Sequence, residues 1–160
     1  MRTKLFISYS HDDERWLERV RRQLTVLEKT GLLELFADTD ISAGEAWFSR
    51  LEAEITQARV ALLLISASFL GSAFILEEEI PRLLDRHEAD GMVLYPLLLS
   101  DCPWQFVPWL SAKQMRPAGV RPVADRRGGS VDKCLADVAR EIASLLNEGL
   151  KSYSQHSSGD

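Results

Sequence analysis

The chain has 160 residues, 46% of them hydrophobic and 27% charged, with a formal net charge of −5. That is the composition of one folded domain, large enough to bury a core without disulfide or metal staples. The acidic balance argues against a sequence-blind nucleic-acid binder, and no apolar run reaches the ~18–20 residues of a membrane span.

The N-terminus enters a strand pattern at once, through Leu5-Phe6-Ile7, and shows no signal peptide with a cleavage site. Two distant cysteines, Cys102 and Cys134, fit free buried thiols in a reducing compartment, so a cytoplasmic location is expected. After the polar turn Ser8-Tyr9-Ser10, Trp16, Leu17, Val20, Leu24 and Leu27 recur at helical spacing, and Gly31 stops that helix. Leu32 to Ala37 reads as a second strand. The polar loop Asp38 to Gly44 follows, then a helix carrying Trp47, Leu51, Ile55 and Ala58. Val60 to Ile65 is almost wholly aliphatic, as expected of a central strand covered on both faces. Ser72 caps a third helix running to about His87, and Met92 to Leu99 is a fourth strand. The stretch from Ser100 to Arg127 holds four prolines, which predicts loops around one short edge strand near Lys113 to Arg116. A final helix spans Val131 to Leu146, with Leu135, Val138, Ile142 and Leu145 on one face. We expect one domain over residues 1–150, with 151–160 a flexible tail or the start of a linker.

This alternation predicts an α/β fold: a flavodoxin-like, doubly wound parallel sheet of about five strands in the order 2-1-3-4-5. Ligands in such sheets bind outside the carboxyl ends of the strands, where the strand order reverses. That places Ser8, Tyr9 and Ser10, the turn Ser66 to Ser72 and the loop from Asp38 to Gly44 around the expected site. No GxGxxG turn, P-loop or phospho-accepting aspartate is present at the corresponding positions. His11-Asp12-Asp13 reads as favourable charge at a helix start and not as a metal site, and no metal is expected. Arg116, Arg121, Arg126 and Arg127 read as a solvated loop.

The unusual segment is Phe74-Ile75-Leu76-Glu77-Glu78-Glu79-Ile80-Pro81. On a uniform helix of 3.6 residues per turn, Leu76, Ile80, Leu83 and Leu84 face the sheet, Glu77 and Glu79 lie on the flanks, and Glu78 falls opposite. Phe74, four residues earlier, shares the outward stripe with Glu78. Spacing alone favours a solvated acidic face with one exposed Phe; the position just after the switch-point strand is what favours a site.

Three boxes, in order, resemble those of Toll/interleukin-1-receptor (TIR) domains: Lys4 to Ser10, Phe36 to Ile41 with Gly44 and Trp47, and Val60 to Pro81. The resemblance runs from about Arg2 to Leu146 and is to the bacterial, NAD-cleaving type. It implies hydrolysis of NAD⁺ as substrate, with no cofactor, as in anti-phage effectors, plant immune receptors and an animal axon-degeneration enzyme. It further implies Glu78 as the catalytic carboxylate, and Ser8, Tyr9, Ser10, Asp38, Gly44, Trp47 and Phe74 around the nucleotide. Family members often carry Trp where this chain has Phe74. Activity in the family depends on self-association with other TIR domains, and neither nucleic acid nor membrane is an expected partner. The alternatives are a non-catalytic TIR–TIR scaffold and a nucleoside or base transferase of similar topology.

Overall fold

The computed structural model describes residues 3–40 and 46–157, with side chains as far as residue 147. Four parallel strands, β1 (Thr3–Ser8), β2 (Leu33–Ala37), β3 (Ala58–Ile65) and β4 (Val93–Leu98), form one sheet in the order β2-β1-β3-β4. The helices between them are α1 (Glu14–Lys29), α2 (Trp47–Gln57), the single turn α3 (Ala67–Leu70) and α4 (Ile80–Asp90). Beyond β4 come the short α5 (Pro108–Ser111) and the long α6 (Gly129–Ser157).

The strand residues alternate between two cores, because successive side chains of a strand point to opposite faces. Leu5 and Ile7 of β1, with Val60, Leu62 and Leu64 of β3, pack against Leu17, Val20 and Leu24 of α1 and Leu135, Val138 and Ile142 of α6. Phe6, Ala61, Leu63 and Ile65 face the other way, onto Leu51 and Ile55 of α2 and Ile80 and Leu83 of α4. Both faces are covered, which is why β3 is aliphatic nearly throughout. Cys102 and Cys134 are free and buried, and burial raises both thiol pKa values.

The expected fifth strand is reduced to one parallel bridge between Leu97 and Arg116. Arg116 donates to Pro96 O at 2.9 Å and accepts from Leu98 N at 2.7 Å. Turns close on either side of it, Lys113 N donating to Leu110 O and Val120 N to Pro117 O, each at 2.9 Å, so no longer strand forms. At the other end, α6 runs on to Ser157 without a break at 150. Among the described residues, no helix is long and apolar enough to cross a membrane.

Candidate functional site

Strand β1 lies between β2 and β3, so the chain leaves the carboxyl ends of β1 and β3 towards opposite faces and opens a crevice there. Ser8 closes β1 and is 1% exposed; Ser66 follows β3 and is 2% exposed. Ser66 works in two directions. Its Oγ accepts from Phe69 N at 3.1 Å, capping α3, and donates to Asp13 Oδ2 at 2.5 Å. That second bond ties the turn after β1 to the turn after β3. Asp13 thus acts as a clasp, beyond its favourable place at the start of α1.

Glu79 reaches into the same crevice. Ser8 Oγ donates to Glu79 Oε2 at 2.5 Å, and the glutamate is 2% exposed. Burial is the main cause that pushes its carboxyl from an ordinary 4.5 up to about 7, with Asp38 adding to the rise while the Ser8 bond and His11 oppose it. A carboxyl poised near neutrality in a crevice is a candidate reactive group.

This placement corrects the uniform helical wheel. Residues Ile75–Glu79 form a π-turn, closed by the Ile80 N–H on Ile75 O, five residues back. In an α-helix, residues five apart differ by about 140° around the axis. Here Ile75 and Ile80 are each 3% exposed and both belong to the core. The wider turn absorbs one extra residue and rotates everything beyond it. Pro81 is the local cause: it has no N–H to donate, and its ring would clash with the carbonyl four residues before it. Glu79 therefore turns inward. Glu78 turns away, its side chain 37% exposed and paired with Arg82 Nη1 at 2.9 Å, and Glu77 is exposed. The structure does not bring Glu78 to Ser8.

Of the other expected residues, Tyr9, Ser10, Trp47 and Phe74 come together: with His11, Asp12, Ser72 and Ile75 they line an open cleft of about 360 Å³, whose lining includes neither Glu79 nor Ser8. That volume sits at the low end of the ~300–1,000 Å³ usual for small-molecule sites. Trp47 and Phe74 meet edge to face, with ring centroids 4.8 Å apart. Both rings are half-buried against the core on the α2–α4 side. Phe74 is thus less outward than the wheel implies, but it does border the cleft. The Tyr9 hydroxyl is buried beside Thr39 and Asp38, and burial is the main cause that pushes the phenol up to about 12. Asp38, just after β2, receives His11 Nε2 at 3.1 Å. Gly44 lies outside the described residues.

The arginine group does not form a cluster around a ligand. Arg116 pairs with Glu141, Arg121 donates to the Asp125 carbonyl, and Arg127 is exposed. Among the described residues, no three side chains of ligand type gather where they could hold a metal. Two functional candidates escaped the sequence argument. Glu79 was signalled by Pro81, two residues on; the His11–Asp38 pair joins residues 27 apart and has no local signal.

Comparison with known proteins agrees with this geometry. The TIR domain family model matches residues 5–135. An uncharacterized protein, y4lF, of Sinorhizobium fredii is 28% identical over 138 residues, covering 86% of this chain. The chain spans 42% of the length of that curated relative. Among solved structures, the TIR domains of the activated Roq1 resistosome, which directly recognises the pathogen effector XopQ, superpose with a TM-score of 0.54 at 21% identity. That match covers 86% of this chain and 84% of the other. The RPS4 and RRS1 TIR domain heterodimer gives a TM-score of 0.59 at 14% identity, covering 90% and 97%. The TIR domain of the Toll-related receptor TRR-2 of Hydra magnipapillata gives 0.52 at 15%, covering 69% and 80%. Matched over most of its length, and built on the strand order that opens this crevice, the chain belongs to the TIR domain family.

Proposed function

We propose that this TIR domain cleaves the nicotinamide–ribose bond of NAD⁺, with Glu79 in the role that a uniform helix would assign to Glu78. The observation that carries the proposal is a buried glutamate at the switch point, hydrogen-bonded to Ser8, the residue just before the cleft-lining Tyr9 and Ser10. One carboxylate is chemically sufficient. Nicotinamide in NAD⁺ is already cationic and leaves as a neutral base, so the leaving group needs no general acid. The barrier lies in the ribosyl oxocarbenium ion. A fixed carboxylate in a site shielded from bulk water stabilises that cation as it forms. Ser8 Oγ occupies the donor position that a ribose hydroxyl would take on Glu79. Approach of the cationic nicotinamide riboside lowers the pKa of a carboxyl held up by burial, so substrate itself favours the active, ionised form. Trp47 and Phe74 supply the wall against which a ring can stack.

Self-association belongs to the same proposal. The cleft is open and small for a whole dinucleotide, so a second copy has room to complete it. Two of the structural relatives are a resistosome and a TIR heterodimer, which fits a domain used in assemblies. A role in immunity, against phage in a bacterial host, fits the first of these, which recognises a pathogen effector. The test is direct: incubate the chain, alone and fused to an oligomerising tag, with NAD⁺ and separate the products by chromatography. Nicotinamide together with ADP-ribose or a cyclic form is expected from the clustered protein. Intact NAD⁺ after prolonged incubation of the clustered protein overturns the proposal and leaves the scaffold reading.

A further inference from the structure

His11 and Asp38 occupy corresponding places on neighbouring strands. His11 opens the turn His11–Asp13 just after β1, and Asp38 opens the turn Asp38–Asp40 just after β2. Both turns are pinned independently of each other. Ser10 O accepts from Asp13 N at 2.8 Å and Ser10 Oγ from Asp12 N at 3.3 Å. On the other side Asp40 Oδ2 accepts from Ala37 N and from Arg21 Nη2, each at 2.9 Å.

The pair itself is asymmetric. The Asp38 side chain is 11% exposed, whereas the His11 side chain is 72% exposed. His11 Nε2 lies 3.1 Å from Asp38 Oδ2 and 3.4 Å from Oδ1. The imidazole also leans on Tyr9, with ring centroids 5.5 Å apart. With Nε2 donating to the carboxylate, Nδ1 is left as the basic nitrogen; among the described residues it has no partner. A carboxylate behind an imidazole fixes its tautomer and stabilises the imidazolium that forms when it takes a proton. His11 borders the same cleft as Trp47 and Phe74, at its boundary with solvent.

Resting on the cleavage of NAD⁺ proposed above, we infer that His11, held by Asp38, is the general base for the acceptor that captures the ribosyl cation. In that step a water lone pair forms the new O–C bond at the ribose C1′, the carbon that nicotinamide has left with its bonding pair. The water proton passes to His11 Nδ1, the imidazolium is stabilised by Asp38, and the proton then leaves to solvent. Glu79 keeps its own role with the cation and is not asked to serve both half-reactions. The division is chemically useful. Breaking the glycosidic bond needs charge stabilisation deep in the crevice, while deprotonating water needs a base where water enters.

A pyridine nucleophile distinguishes the two halves, because its ring nitrogen attacks with a lone pair and loses no proton. The experiment gives the clustered full chain NAD⁺ plus 3-acetylpyridine and measures hydrolysis and base exchange together, by chromatography, for wild type, His11→Gln and Asp38→Asn. General-base catalysis contributes typically 10²–10⁴-fold, so in His11→Gln the ratio of hydrolysis to base exchange, read in one sample, should fall by about 10² or more. Asp38→Asn should shift the ratio in the same direction. Equal losses of hydrolysis and exchange, or no loss of hydrolysis, overturn the assignment of His11. Absence of both reactions in the wild-type chain overturns the cleavage reading itself, and this inference with it.

Discussion

At Glu79, the proposed function and stability pull in opposite directions, and the conflict is measurable. Burial raises its carboxyl from 4.5 to about 7, so the fold favours the protonated form. The favourable contribution is complete below about pH 4.5 and is lost as pH rises through about 7. Above that, an ionised Glu79 costs on the order of 3 kcal/mol relative to a neutral side chain. Glutamine has nearly the same shape and no charge to bury. Thermal melting at about pH 8 should therefore show Glu79→Gln several degrees more stable than wild type, since 1 kcal/mol moves Tm by roughly 2–4 °C at this size. Near pH 4.5 the two should melt together. Equal melting at both pH values would contradict the buried, uncompensated placement of the carboxyl. Activity runs the other way: kcat/KM of the wild type should rise as pH passes upward through about 7, as Glu79 ionises. Cleavage that declines through that range would contradict a carboxylate as the working form.

At the scale of elements, the contact between α2 and the π-turn carries the cleft wall. Phe74 is half-buried against Trp47, so Phe74→Ala removes an edge-to-face pair worth about 0.5–1.5 kcal/mol in addition to some apolar burial. That is well short of the roughly 3–5 kcal/mol of a fully buried Phe→Ala. A melting temperature only a few degrees lower, with a much larger loss of NAD⁺ turnover, is the expected outcome of measuring both on one sample. A collapse of the melting transition would make Phe74 a core residue first. The same element marks where sequence reasoning succeeded and where it failed. The aliphatic run Val60 to Ile65, the spacing of Leu17, Val20 and Leu24, and the polar turn at Ser8 follow from period alone, and each lies where period puts it. The phase of the Glu77-Glu78-Glu79 run does not follow, because a wheel assumes one constant angle per residue. A single π-turn before Pro81 breaks that assumption and turns Glu79 toward Ser8 while Glu78 pairs with Arg82. The expected edge strand near Arg116 fails because turns close on both sides of the single bridge, Lys113 N on Leu110 O and Val120 N on Pro117 O. His11 and Asp38 lie 27 residues apart, and only the parallel pairing of β1 with β2 brings them together.

For the whole molecule, the doubly covered sheet makes a rigid platform, and the candidate site lies on turns at one end of it. Core residues of β1 and β3 are held on both faces, so the Ser8 and Ser66 ends are fixed while the cleft stays open on one side. An open cleft on a rigid platform gains most from a second copy. Linking copies raises effective concentration without changing contacts inside the domain. Specific activity should therefore climb with protein concentration, and a tagged oligomer should reach the plateau at low concentration. A flat specific activity over several decades of concentration would mean that one copy is complete. The central claim, that the π-turn delivers Glu79 and not Glu78 to the reacting ribose, is tested by one comparison. Nicotinamide release from NAD⁺ should be measured for Glu78→Gln and Glu79→Gln on the same oligomeric scaffold, with folding checked by melting. Removing a preorganised electrostatic group typically costs about 10²–10³ in rate. A loss of that size or greater is expected for Glu79→Gln and near wild-type release for Glu78→Gln; the opposite ranking would put Glu78, not Glu79, at the reacting ribose.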